Sequence, residues 1–154
     1  MNAQTQRTLV LIKPDGLQRG LVGTIVSRLE TRGLKIVAMK MLQMNQKMAE
    51  QHYNIHRERP FFQGLVSFIT SSPIIAIVLE GPDAVELIRN TIGVTNPIQA
   101  PLGTIRGDFA LTIGRNLVHG SDSMKTAASE IQLFFQSTEI LDYPRDVDPW
   151  IIES

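Results

Sequence analysis

The chain has 154 residues, the size of one ordinary domain, with 43% hydrophobic residues to fill a core and 19% charged residues, too few for a disordered polymer. Fifteen basic residues balance fifteen acidic ones, which argues against a protein built to coat nucleic acid, and the absence of cysteine excludes disulfides, zinc thiolates and thiol catalysis together. No stretch approaches the roughly 18 apolar residues of a bilayer span, and the polar opening Met1 to Arg7 lacks the apolar run of a signal peptide, so a soluble, cytoplasmic protein with a single domain over residues 1–154 and no membrane partner is expected.

Thr8 to Ile12 is a β-branched apolar run that ends at Lys13-Pro14-Asp15-Gly16, where proline presets φ and glycine takes positive φ in a turn. Leu21, Ile25 and Leu29, with Val22 and Val26 beside them, predict a helix to Arg32 that Gly33 stops. Leu34 to Met44 reads as a strand. Asn45 caps a helix over Gln46 to Tyr53, and Pro60 opens another over Phe61 to Ile69. Ile74 to Leu79 is apolar throughout, as in a strand buried on both faces. A helix bearing Val85, Leu87, Ile88 and Ile92 follows and ends at Gly93. Thr95 to Gly107, with two prolines and two glycines, has no period and reads as a long loop, which in a compact domain is usually functional. Phe109 to Ile113 and Leu117 to Val118 look like short strand pieces, Met124 to about Phe135 like a last helix, and the tail with Pro144, Pro149 and Trp150 like irregular structure. Two βαβ units sharing one sheet give an α/β (α+β) fold, the ferredoxin-like split βαβ sandwich with a four-stranded antiparallel sheet covered by helices.

The glycines fit neither a P-loop nor a dinucleotide fingerprint. Arg115-Asn116-Leu117-Val118-His119-Gly120-Ser121-Asp122-Ser123 puts a histidine at the end of a short strand, ahead of small polar residues that open a helix. One reading is a helix cap with a structural histidine beside it. The other begins from Glu130, which falls on or beside the apolar stripe of the last helix between Ala127 and Phe134. A carboxylate there needs a partner unless it snorkels to water, and one holding a ring nitrogen of His119 leaves the other nitrogen as a nucleophile. Lys13, Arg89, Arg106 and Arg115 are each ordinary surface charges when taken singly. Converging, they would clamp a polyphosphate, because guanidinium forks match phosphate oxygens. Phe61 and Phe62 cannot share a helix face, so one can be exposed to stack on a base, or both can pack at the helix boundary.

Taken together, Lys13-Pro14-Asp15-Gly16, Gln18-Arg19-Gly20-Leu21-Val22-Gly23, His52-Tyr53, Arg59-Pro60-Phe61-Phe62, Gly93 with Thr95-Asn96-Pro97, Gly103 to Phe109, and Arg115-Asn116 with His119 to Ser123 resemble the nucleoside diphosphate kinase family over nearly the whole chain. The resemblance implies a ping-pong transfer of the γ-phosphate of a nucleoside triphosphate to a nucleoside diphosphate through a phosphohistidine, with broad base specificity, maintaining NTP and dNTP pools. His119 is the implied nucleophile and Glu130 its orienting carboxylate. Lys13 and Asn116 are implied at the ribose hydroxyls, Lys13 and Tyr53 near the transferring phosphate, and Arg89, Thr95 and Arg106 at the other phosphates. Phe61 and Ile113 are implied on either side of the base. The family uses Mg²⁺ bridging the phosphates, with Asp122 a contact through water and no residue assigned as a direct metal ligand. It also implies a homo-oligomer, a hexamer built as a trimer of dimers, with the tail through Trp150 to Ser154 and the loop 95–107 at subunit contacts. Nucleic acid is not indicated as a partner. Ile55 stands where the family commonly has an acidic residue that supports an active-site arginine, so Arg106 is expected to be held differently; Leu102 separates Pro101 from Gly103, and Phe134 replaces a common tryptophan. A non-enzymatic binding module on the same fold is the competing reading, which gives no reason for a histidine, a glutamate and separated arginines together.

Overall fold

The structure is a computed structural model that describes residues 4–153. Its frame is one antiparallel sheet of β1 (Thr5–Ile12), β2 (Lys35–Leu42), β3 (Ile74–Pro82) and β4 (Val118–Gly120), in the spatial order β2-β3-β1-β4. The helices are α1 (Pro14–Gln18), α2 (Val22–Thr31), α3 (Gln46–His52), α4 (Phe62–Ile69), α5 (Ala84–Ile92), α6 (Ile105–Phe109) and α7 (Met124–Phe134). The expected α+β sandwich is therefore the observed one.

Strand alternation divides the core in two. Leu9 and Leu11 of β1, with Ile74, Ala76 and Val78 of β3, face the layer of α3, α4 and α7, against Ala49, Phe62, Val66, Ile69, Ile131 and Phe134. Val10 and Ile12, with Ile75, Ile77 and Leu79, face α2 and α5, against Ile25, Leu29, Ile88 and Ile92. A sheet covered on both faces explains why β3 is apolar at successive positions.

Three expected segments differ. Lys13 to Gly16 is not a simple turn: Pro14 sits in the first turn of the one-turn helix α1. Gly16 does not take positive φ; it is glycine because a Cβ there would lie 2.6 Å from Ile12 Cγ2 and 3.3 Å from the Leu117 carbonyl oxygen. The long loop ends early, since Thr104 Oγ1 accepts the Gly107 N–H at 3.0 Å and caps α6. Phe109 to Ile113 is no strand: Phe109 closes α6, and Thr112 and Arg115 form an isolated bridge around a tight turn. Leu117 lies outside β4 with φ +73°, a left-handed conformation that leucine rarely adopts. Its N–H donates to Asp15 Oδ2 at 2.9 Å, and its carbonyl accepts the Lys13 N–H at 2.8 Å. These two bonds fix the link between Asn116 and β4.

The tail runs back along the β2 side. Tyr143 donates its hydroxyl to the Ile36 carbonyl at 2.6 Å, and Arg145 Nη2 donates to the Gly33 carbonyl at 2.9 Å. Trp150 remains 88% exposed. No helix among the described residues is long and apolar enough to cross a membrane.

Candidate active site

Register aims the histidine. β4 pairs with β1 so that His119 lies opposite Leu11, whose side chain belongs to the α3–α4–α7 face. Gly120 turns to the other face, where a Cβ would come within 2.9 Å of Ile92 Cδ1, so glycine lets β4 lie flat on α5. His119 therefore emerges at the rim of the first layer with its side chain 28% exposed.

Glu130 meets it from α7. Its Oε2 lies 2.6 Å from His119 Nε2, and its Oε1 accepts the Ser121 hydroxyl at 2.7 Å. Ser121 is fully buried and anchored to β1 through its N–H to the Leu9 carbonyl at 3.1 Å. Burial would push the Glu130 carboxyl upward, but the bond and charge of His119 and the bond from Ser121 outweigh it and hold the group below the ordinary carboxylate range. An ionised carboxylate on Nε2 makes that nitrogen the N–H donor and leaves the Nδ1 lone pair free.

His52 is a component of this cluster that the sequence motif contained without a role. At the end of α3 its side chain is 2% exposed, its ring lies edge-to-face with His119 at 4.9 Å, and its Nδ1 is 3.6 Å from Glu130 Oε2. Neither ring nitrogen has a hydrogen-bond partner among the described residues. Burial, reinforced by the charge of His119, lowers its pKa to about 3, so it is neutral at physiological pH and does not compete for Glu130. Tyr53 packs on His52 at 4.7 Å; burial and the nearby Glu130 charge raise its hydroxyl to about 12, so it keeps its proton.

Lys13, just past β1, donates to Asn116 Oδ1, and Asn116 Nδ2 donates to the Thr95 carbonyl at 2.9 Å. Burial lowers the Lys13 ammonium to about 8, with the positive charges of Arg106 and Arg115 adding to the effect and Asp15 opposing it. Arg106 on α6 is buried, and its side chain is spoken for by main-chain carbonyls: Nε to Asn116 at 3.3 Å, Nη1 to Gly93 at 2.9 Å and Nη2 to Val118 at 2.6 Å. Ile55 is 87% exposed. One N–H on each terminal nitrogen of Arg106 is left for an anion. Burial and the charge of Arg89 lower Arg106 to about 10, the mark of two cations gathered without a counter-ion between them. Arg89 is exposed on α5 and lines a cleft of about 340 Å³ together with Asp122. Of the aromatic pair, Phe62 is buried and Phe61 half exposed; Ile113 and Thr95 are also exposed.

A family model described as nucleoside diphosphate kinase matches residues 6–140. The chain belongs to the nucleoside diphosphate kinase family. A nucleoside diphosphate kinase of Synechococcus elongatus is 56% identical over 148 residues, 96% of this chain and 99% of that protein, and one of Archaeoglobus fulgidus is 55% identical over 96% and 98%. A solved halophilic nucleoside diphosphate kinase from Halobacterium salinarum, in complex with CDP, superposes with a TM-score of 0.95 at 48% identity, over 97% of this chain and 100% of that one. A nucleoside diphosphate kinase family protein from Babesia bovis gives 0.93 at 41% identity, over 95% and 99%. Membership makes the chain a phosphotransferase of nucleotides and removes the non-enzymatic binding module as its explanation.

Two donor sets bear on the metal that the family implies. His52, His119 and Glu130 place three ligand atoms within 4.8 Å of one another, but two imidazoles and one oxygen suit a borderline ion, and the 2.6 Å bond already joins two of the atoms such an ion would need. Mg²⁺ prefers oxygen and is commonly held by phosphates, water and one or two carboxylates. Asp122, exposed in the same cleft as Arg89, fits that role.

Proposed function

We propose that the chain, as a single catalytic domain, transfers the γ-phosphate of a nucleoside triphosphate to a nucleoside diphosphate in two half-reactions at one site. The observation that carries this reading is the 2.6 Å bond between His119 Nε2 and Glu130, which leaves the Nδ1 lone pair of a partly exposed ring free to attack. In the first half-reaction the Nδ1 lone pair forms a bond to the γ-phosphorus as the bond to the bridging oxygen breaks, and the diphosphate departs. The ring gains positive charge as the P–N bond forms, and the ionised Glu130 offsets it through Nε2–H. In the second, a terminal oxygen of an incoming diphosphate takes the phosphoryl group and His119 returns to its starting form.

The remaining residues bind and align. Arg89, Arg106 and Thr95 hold the non-reacting phosphates, Lys13 and Asn116 the ribose hydroxyls, and Lys13 with Tyr53 the phosphoryl group in transfer. Phe61 and Ile113 sandwich the base without reading its edges, so every base is accepted. Asp122 would hold Mg²⁺ through water, and the ion would offset the charge of the nucleotide phosphates. The decisive experiment is incubation with ATP and Mg²⁺ followed by mass mapping of acid-labile phosphate. It is expected on His119 and nowhere else, and phosphate on another side chain would overturn the mechanism.

Lys13 sets an alkaline limit. Its ammonium loses its proton as pH rises through about 8, and with it the charge that holds the nucleotide. The expected kcat/KM for a nucleoside diphosphate is flat below that pH and falls above it. A profile level to pH 10 would separate Lys13 from binding.

We further propose a cytoplasmic homohexamer, a trimer of dimers. Its support is the apolar surface the chain leaves uncovered in the tail and in the 95–104 loop: Trp150 at 88%, Leu102 at 85% and Ile98 at 83% exposure. Light scattering should give a mass about six times the 17.2 kDa of one chain; four times would replace the hexamer by a tetramer.

A further inference from the structure

Arg115 takes no part in the transfer above, although it stands one residue before Asn116 and four before His119. Its guanidinium lies over the ring of Phe68, with the guanidinium carbon 4.0 Å from the ring centroid, and the Lys13 ammonium approaches the same ring at 5.9 Å. A guanidinium carbon that close to the ring centroid makes a cation–π contact, and a lysine, a compact point charge on a flexible stem, does not reproduce the planar guanidinium there.

The two partners belong to different segments of the chain. Phe68 belongs to α4, the helix that Phe61 heads as its N-cap residue. Arg115 closes the turn that carries Ile113: its N–H donates to the Thr112 carbonyl at 3.1 Å and its Nη1 to the Gly114 carbonyl at 2.9 Å. Those bonds are internal to the turn, whose outer residues are open to solvent, Leu111 at 79% and Ile113 at 59% exposure. Asn116, by contrast, is buried and bonded to Lys13 and to the Thr95 carbonyl. The turn is thus tied to the floor at one end and reaches α4 through the Arg115–Phe68 contact.

We propose that Arg115 and Phe68 form a strut that sets the gap between Phe61 and Ile113, making Arg115 a positioning residue for the nucleoside half of the substrate. The inference rests on the reading of Phe61 and Ile113 as the walls of the base slot. It separates two jobs: the strut governs how well the nucleoside is gripped, while the phosphoryl chemistry at His119 proceeds without it.

The test compares ADP with inorganic tripolyphosphate, which has no nucleoside, by calorimetric titration of the full-length protein. Arg115→Lys keeps the charge and loses the planar guanidinium, Phe68→Leu loses the ring, and Phe68→Tyr keeps it. Arg115→Lys and Phe68→Leu should each weaken ADP about fivefold, and together no further, because they remove one interaction. Phe68→Tyr should restore wild-type affinity, and tripolyphosphate should bind all variants equally. In turnover, KM for the diphosphate should rise while saturated kcat holds. Equal weakening of tripolyphosphate, or unchanged ADP affinity in Phe68→Leu, would overturn the strut and make Arg115 a plain phosphate ligand. Two controls address the underlying reading separately. Phe61→Ala should weaken ADP if the slot is where the base sits. Labelling of His119 by phosphoramidate, a donor without nucleoside, should be the same in all strut variants, and its failure in the wild type would count against the nucleophile while the ADP comparison still decides the strut.

Discussion

His119→Ala should reduce phosphate exchange between ATP and a second diphosphate on the order of 10⁴-fold or more, because the proposed transfer loses its nucleophile and no neighbour can replace it. His52 lies 4.9 Å away, ring to ring, but is sealed in the core with its side chain 2% exposed, and Tyr53 keeps its proton to about 12. The fold should survive. His119 is at the rim, β4 is held to β1 by main-chain pairing, and Ser121 still satisfies one oxygen of Glu130. ADP should therefore bind to the variant nearly as well as to the wild type while no acid-labile phosphate accumulates. Retained exchange, measured by coupled assay with purified variant, would remove His119 from the reaction.

Gly107→Ala should cost about 3 kcal/mol or more of stability, since overpacking against an unyielding neighbour sits at the upper end of such substitutions. A Cβ at 107 would lie 2.0 Å from the Pro101 carbonyl oxygen, 2.7 Å from its carbon and 2.9 Å from the Ala100 oxygen. All three are backbone atoms, so relief requires the loop before α6 to move as a unit. Arg106, the preceding residue, would move with it and lose its carbonyl partners at Gly93, Asn116 and Val118, so nucleotide affinity should fall alongside the midpoint of urea unfolding. Gly64→Ala, where a Cβ meets nothing within 4 Å, is the matching control and should shift stability by less than about 1 kcal/mol. Equal midpoints for the two variants would contradict the close approach at Pro101.

What could be read from the sequence follows from how local each cause is. The continuous apolar run of β3, the stripe of α5 with Gly93 beyond it, and Ser123 capping α7 all carry their reasons within a few residues. The one-turn helices α1 and α6 are too short to show a period, and α6 contains the poor helix former Gly107. Leu117 is less legible still. Nothing about leucine announces a left-handed residue, and its conformation is imposed by Asp15 and Lys13, about a hundred positions away. In the site, the family motifs mark His119, Lys13 and Asn116, and the apolar stripe of the last helix singles out Glu130. His52 appeared only as half of a dipeptide, because its importance lies in being buried beside Glu130 without partners of its own. The contact between Arg115 and Phe68 spans 47 positions and has no local signature.

The double tether at Leu117 has a kinetic meaning. The segment bearing His119 and the segment bearing Lys13 are clamped through one residue, so neither can slide past the other. The proposed alternation of donor and acceptor at one site would need an invariant anvil as well as a yielding gate. Here the anvil is the β1–β4 junction, and whatever opening and closing limits turnover is left to the outer arms of the cleft.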